Sequence, residues 1–186
     1  TDNPVVIRQG NATETVSWTF DTNGTLVISG SGYIGAFPSS HSSPWYHVSN
    51  AMTSVIIEEG ITGIGRENFS SLDNLKSVSI PSTLKLIGDY AFMGCHALEK
   101  IELPEGLATI GSHAFYCCRS LTSITIPDSV KSIGKEAFYN CESLDSVTIP
   151  NAVTIIGNYA FYKCTALDSV TIGNFVASIG MYAFAN

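Results

Sequence analysis

Charge is scarce in this chain. Asp, Glu, Lys and Arg make up 13% of its 186 residues, against roughly 25% in an average soluble protein, so Ser, Thr, Asn, Gly and Tyr must cover much of the surface. That balance fits an extracellular or cell-surface protein better than a cytosolic one. The net charge of −7 is scattered along the chain, and no lysine or arginine cluster is present to track a phosphate backbone, which argues against nucleic acid as a partner. Long apolar runs are also missing. Although 45% of the residues are apolar, uninterrupted stretches such as Val55 to Ile57 are short, far below the roughly 20 residues that span a bilayer, so no membrane insertion is expected. The chain opens at Thr1 with neither a methionine nor a signal-like segment, as expected of a processed product or a piece cut from a longer chain.

What the sequence does contain is a period. Isoleucine-glycine recurs at 64 and 65, 87 and 88, 110 and 111, 133 and 134, 156 and 157, and 179 and 180. The unit of 23 residues reads I-G-x-x-A-F-x-x-C-x-x-L-x-x-(I/V)-x-(I/L)-P-x-x-x-x-x; five copies are complete and the sixth stops at Asn186. No single unit can bury its own apolar face, so the units must stack as turns of a coil. Each contains one short strand: Ser54 to Ile57, Ser77 to Ile80, Lys100 to Leu103, Ser123 to Ile126, Ser146 to Ile149 and Ser169 to Ile172. Its second and fourth residues point inward and its first and third outward. Pro81, Pro104, Pro127 and Pro150 end these strands because proline has no amide proton for the ladder; Gly173 takes that place in the fifth unit without necessarily altering the path. The recurring glycines are expected in a backbone conformation that other residues enter only with strain. The segment after each glycine has the spacing of a short helical turn, and Phe69, Phe92, Phe115, Phe138, Phe161 and Phe184 should form one buried aromatic column.

Before Ala51 the repeat is absent. Val16, Trp18 and Phe20 alternate with Ser17 and Thr19, Asp21-Thr22-Asn23-Gly24 supplies a turn, and Thr25 to Ile28 resumes a β-prone run, which reads as a β-hairpin. A loop with Gly30, Gly32, Pro38 and Pro44 then carries Trp45 and Tyr46 to the first rung. Such an atypical leading segment covers the open end of a solenoid, so residues 1–50 are expected as cap and 51–186 as solenoid.

Taken together, Cys118-Arg-Ser-Leu121-Thr-Ser-Ile124-Thr-Ile126-Pro127-Asp-Ser-Val130-Lys-Ser-Ile133-Gly134-Lys-Glu-Ala137-Phe138 resembles the BspA-like leucine-rich repeats of bacterial surface proteins, over about residues 51 to 186. The segment from Val16 to Gly30 with Pro44-Trp45-Tyr46 resembles the region that precedes such repeats. The resemblance implies a leucine-rich-repeat solenoid: a right-handed α/β-type coil with a parallel sheet of short strands on one face, short helical turns on the other, and an N-terminal β-hairpin cap. It also implies a cell-surface setting and, for some members, attachment to host proteins. The asparagine or cysteine that the general leucine-rich pattern places beyond the strand is replaced by Thr83, Gly106, Ser129, Ala152 and Phe175, so no asparagine ladder is expected.

No residue set announces catalysis, a metal or a cofactor. Cys95, Cys118, Cys141 and Cys164 fall one per rung, unlike the close ligand pairs of zinc sites, and Leu72 holds the same place in the first unit. The column therefore reads as small buried side chains, set at the rung spacing of about 4.8 Å instead of the roughly 3.8 Å between disulfide β-carbons. Cys117 lies outside it. His41, His47, His96 and His113 are read as surface residues that share no column with a carboxylate. Glu58 and Glu59 lie two rungs from Glu102 and Glu105, with no cleft between them for glycoside hydrolysis. The sequons at Asn11, Asn23 and Asn68 would matter only in a glycosylating host. The variable positions remain. Ser77 and Ser79, Lys100 and Glu102, Ser123 and Thr125, Ser146 and Thr148, and Ser169 and Thr171 form two outward columns, and Tyr116, Tyr139 and Tyr162 form a row beside the buried phenylalanines. These are the candidate contacts for a protein or carbohydrate ligand in an extracellular recognition or adhesion module. The alternative is a structural spacer in a larger surface protein, motivated by the incomplete last unit.

Overall fold

The computed structural model describes residues 3–186, so the first two residues of the expected 1–50 cap lie outside the described residues. Sixteen short strands follow in order. The leading segment holds β1 (Val6–Asn11), β2 (Val16–Asp21), β3 (Thr25–Gly30) and β4 (Gly32–Tyr33), then two 3-10 helices, Ser40–Ser42 and Tyr46–Ala51. Each later rung contributes two strands: β5 (Ser54–Ile57) and β6 (Ile61–Ile64), β7 (Ser77–Ser79) and β8 (Leu86–Ile87), β9 (Lys100–Ile101) and β10 (Thr109–Ile110), β11 (Ser123–Thr125) and β12 (Ser132–Ile133), β13 (Ser146–Ile149) and β14 (Ile155–Ile156), β15 (Ser169–Ile172) and β16 (Ser178–Ile179).

The first strand of each rung joins a nine-stranded sheet ordered β1-β2-β3-β5-β7-β9-β11-β13-β15. The hairpin of β2 and β3 is antiparallel, and β3 then pairs parallel with β5, so cap and repeats share one sheet. The second strands, which period-two reading had not separated, form a parallel seven-stranded sheet from β4 to β16. They carry the recurring isoleucines: Ile87 pairs with Ile64 and Ile110, and Ile133 with Ile110 and Ile156. Proline carbonyls close the turn between the two sheets. The amide of Val130 donates to Pro127 at 3.0 Å and that of Val153 to Pro150 at 3.1 Å, and Val176 keeps the same bond to Gly173 at 3.4 Å, so glycine in the fifth unit preserves the path.

Two local expectations need correction. The segment after each glycine is not helical, because its second and sixth residues are left-handed: His113 and Cys117 have φ of 57° and 58°, Glu136 and Asn140 have 54° and 58°. A helix would direct each amide back four residues within its own rung. Here alternate amides point along the coil instead, with Phe92 donating to Ala114 at 2.8 Å, Phe115 to Ala137 at 2.7 Å and Phe138 to Ala160 at 2.7 Å. The turns thus make a third rung-to-rung ladder. The glycines of the isoleucine-glycine pairs, in turn, do not have positive φ. Their reason is proximity, since a Cβ on Gly111 would sit 2.6 Å from the carbonyl carbon of Gly88, and one on Gly134 would sit 2.5 Å from that of Gly111. Any side chain there would push the rungs apart.

The phenylalanine column forms as expected, with neighbouring rings stacked 5.0 to 5.4 Å apart from Phe69 to Phe184. Its first member is Trp45 of the cap, stacked on Phe69 at 5.4 Å with its indole N–H donating to the carbonyl of Asn68 at 2.9 Å. Asn68 replaces the alanine of later units because the rung beneath it is irregular. In later units the glycine amide donates to an isoleucine carbonyl one rung back, as Gly88 does to Ile64 at 2.9 Å. The amide of Gly65 instead donates to the Asn68 side-chain oxygen at 2.7 Å, while the Asn68 amide donates to the carbonyl of Gly35 at 2.9 Å. Asn68 is buried, which removes it as a glycan acceptor in the folded protein.

Candidate functional site

The outward columns are set by the short strands of the long sheet. Val78, Ile101, Ile124 and Val147 turn inward and are buried, so their neighbours on each strand face solvent. Ser77, Lys100, Ser123, Ser146 and Ser169 are aligned across successive strands, as are Thr125, Thr148 and Thr171. All are exposed, together with Ser79 and Glu102. Ile56, aligned with Ser79, extends the second column with an apolar member that is 41% exposed; the same alternation applied one rung earlier would have shown it. Lys100 and Glu102 interrupt the hydroxyls, and neither has an ion-pair partner among the described residues. A shallow groove flanks them on each side, one of about 260 Å³ bounded by Ser77 and Ser79 and one of about 220 Å³ bounded by Ser123 and Thr125. The Ser146 hydroxyl is occupied, donating to the Asp145 carboxylate at 2.9 Å.

Tyr116, Tyr139 and Tyr162 are half-buried on the turn face. Tyr116 and Tyr139 stack at 4.7 Å and 10°, and Tyr139 and Tyr162 lie 5.2 Å apart at 36°. The Lys163 ammonium sits 5.6 Å from the Tyr162 ring centre. A second column, unnoticed in the sequence, runs beside this row. Tyr90 stacks on His113 at 4.5 Å, Tyr159 on Tyr182 at 5.4 Å, and the Arg66 guanidinium lies 4.3 Å above Tyr90. Rings stacked in this way cover one another's faces, and what they offer outward is edges and phenol oxygens.

The histidines depart from expectation. His96 Nδ1 is 2.8 Å from the Asp73 carboxylate and His113 Nε2 is 3.3 Å from that of Glu136; each pair is 23 residues apart, so the period itself puts them in one column. Burial lowers the His113 pKa, opposed mainly by the nearby Glu136 charge. Glu59 is held by the Ser82 amide at 2.8 Å and hydroxyl at 3.1 Å, and the amide bond is the main cause of its lowered pKa. The cysteine column is free and buried, with Cys117 half-buried beside it. Each column thiol donates to a phenylalanine carbonyl one rung back: Cys95 to Phe69 at 3.1 Å, Cys118 to Phe92, Cys141 to Phe115 and Cys164 to Phe138 at 3.2 to 3.3 Å. Phe92, Phe115 and Phe138 also accept the backbone amides of Cys95, Cys118 and Cys141 at 3.2 to 3.3 Å, so there the thiol is a second donor to a carbonyl that is already bonded. Burial pushes the Cys95 thiol up to about 12. Among the described residues no group of three or more His, Cys, Asp or Glu could hold a metal.

The family model for the BspA type leucine rich repeat region matches residues 45–121 and 62–186 in six copies. The chain belongs to this family. Solved relatives share its fold. A leucine-rich repeat protein from Eubacterium ventriosum is 24% identical with a TM-score of 0.65, covering 99% of this chain and 64% of its own. A leucine rich cell surface protein from Faecalibacterium prausnitzii is 26% identical with a TM-score of 0.53, covering 92% and 55%. The leucine-rich repeat protein of T. pallidum is 20% identical with a TM-score of 0.59, covering 89% and 98%. The BspA-type chain thus spans less than two thirds of the first two relatives' length. No curated protein matches it.

Proposed function

We propose that the chain is a non-catalytic recognition module at a bacterial cell surface, which binds a protein partner through the outward face of the long sheet with Lys100 and Glu102 at the centre. One observation carries this reading: two aligned columns of exposed hydroxyls are broken by a single Lys-Glu rung, without an ion-pair partner among the described residues and with a groove on either side. Hydroxyls adapt their hydrogen bonds to a partner, and the two opposite charges fix its register. The surface setting is supported by the named cell-surface relative.

Size sets the affinity. Six strands about 4.8 Å apart, each about 13 Å long, give a patch of roughly 300 to 400 Å², less than half of the roughly 800 Å² per partner of a stable complex. A single module therefore binds weakly, in the micromolar range, and gains strength by repetition on a surface. The test is a binding screen against host matrix proteins, cell-wall polymers and glycans, repeated with Lys100→Ala, Glu102→Lys and Ser146→Arg. Loss of about tenfold in each variant is expected. A hit that ignores all three, or a preference for glycans over every protein, refutes the reading. A rigid spacer is the second reading, favoured by the stacked phenylalanines and the turn ladder that tie every rung to the next. It predicts that the three variants change no phenotype of the full-length protein while deletion of two whole repeats does.

A further inference from the structure

At the cap, remote from the sheet-face contacts, a notch of about 370 Å³ opens between β1 and the second 3-10 helix. It is lined by Pro44, Val48, Arg8 and His47, with the largely buried Trp18 and Trp45, 8% and 1% exposed, beneath them. Trp18 and Trp45 meet edge to face, 6.5 Å apart at 78°. The volume lies at the lower end of the roughly 300 to 1,000 Å³ of ligand pockets, room for one large side chain. Arg8 is exposed and has no ion-pair partner among the described residues, whereas the other two arginines, Arg66 and Arg119, each pair with a glutamate. A guanidinium beside an apolar cradle selects a group that joins an apolar body to a carboxylate.

The strand beside the notch identifies the source of that group. β1 is the edge of the nine-stranded sheet and pairs on one side only, with β2. Its outer backbone amides and carbonyls are a template for one more strand, and Val6 and Ile7 flank it, 50% and 52% exposed. Gly10 is part of the arrangement. It pairs with Trp18, and a Cβ there would fall 2.9 Å from the indole nitrogen, so β1 lies across the tryptophan only because glycine stands at that crossing. We infer that this notch captures the carboxyl end of a partner polypeptide: the segment extends β1 as an added strand, its last, apolar side chain enters the tryptophan cradle, and its terminal carboxylate pairs with Arg8. The site lies five strands from Lys100 along the sheet, about 24 Å, and does not depend on the sheet-face reading.

The chain has two tryptophans and both line the notch, so tryptophan emission reports occupancy directly. The probes are a six-residue Thr/Val peptide ending in phenylalanine with a free carboxylate, the same peptide as its C-terminal amide, and phenylpropanoate. The free-acid peptide should give a saturable emission change, with the amide and phenylpropanoate each about tenfold weaker. Arg8→Gln should erase the preference for acid over amide, Val48→Trp should block the notch, and Lys100→Ala should leave peptide binding unchanged. The inference is overturned by the absence of a saturable change up to millimolar peptide, by equal binding of acid and amide, by indifference to Arg8→Gln or Val48→Trp, or by phenylpropanoate binding as tightly as the peptide.

Discussion

Asn68→Ala makes the first unit look like the others, since Ala91, Ala114, Ala137, Ala160 and Ala183 occupy this place later. Reasoning from the repeat alone would predict a neutral or stabilising change. The structure predicts the reverse. The Asn68 side chain accepts from the Gly65 amide at 2.7 Å and donates to the Gly35 carbonyl at 2.9 Å, and Gly65 is buried. Alanine leaves both groups without partners. At about 1 to 3 kcal/mol for each buried group left unsatisfied, with half-buried Gly35 at the low end, the loss is about 2 to 4 kcal/mol. For a chain of this length that corresponds to a fall in Tm of roughly 5 to 15 °C.

Urea and thermal melts of the variant against the parent measure the total, and hydrogen exchange locates it, because the Gly65 amide should be protected in the parent and exchange quickly in the variant. Ala114→Asn is the reciprocal control. Ala114 is buried and the Gly111 amide already donates to Ile87 at 2.9 Å, so an asparagine there has no orphan to satisfy and must also destabilise. If Asn68→Ala melts within about 0.5 kcal/mol of the parent, the ordinary range for a surface substitution, the account of the cap is wrong.

Two further perturbations probe the turn face and the thiol column. Cys117→Gly should stabilise by about 0.5 to 1 kcal/mol, the difference between a left-handed penalty of about 1 to 2 kcal/mol and the entropy cost of glycine; φ at Cys117 is 58° and Gly94 already holds that place one rung earlier, and a chemical melt decides the sign. The column thiols make the protein sensitive to alkali, because burial raises Cys95 from 9.0 to about 12 and Cys118 and Cys141 well above their ordinary value. The folded state therefore keeps protons that the unfolded state gives up, so this stability is complete below pH 9.0 and is lost as pH rises toward 12, at about 1.4 kcal/mol per pH unit for each thiol. Melts from pH 8 to 11 should fall steeply, and Cys95→Ala with Cys118→Ala should flatten the slope while lowering stability at neutral pH.

Stacking was legible in the sequence because it depends on identity at a fixed interval. Phe92, Phe115 and Phe138 need only recur every 23 residues to form a column, and Pro127 and Pro150 need only lack an amide proton to end a strand. Backbone conformation was not legible by the same means. Left-handed positions are usually inferred from glycine, yet here they are held by Cys117, Glu136, Tyr159 and Lys163, residues with no such preference, because the rung-to-rung ladder compensates the strain. The glycines that do recur answer a different demand, the close approach of Gly111 to Gly88. The pairs His96 with Asp73 and His113 with Glu136 were available to anyone subtracting 23, whereas the bonds from thiols to phenylalanine carbonyls needed coordinates, since they join residues 26 apart.

Positions that break the period carry the information that the period lacks. Every rung must repeat Ile, Gly, Phe and a small core residue to stack, so those residues say nothing of a partner. Asn68 breaks the pattern where the stack begins, and its cause is internal: it satisfies the Gly65 amide above an irregular rung. Lys100 and Glu102 break it in mid-solenoid, where the rungs on either side carry serine and threonine in the same places and the stack makes no demand. Neither charge is paired within the chain among the described residues. A departure with no internal cause is the place to seek an external one, which is why the Lys100 rung, and not the more numerous hydroxyls around it, is the first substitution to make in any binding assay.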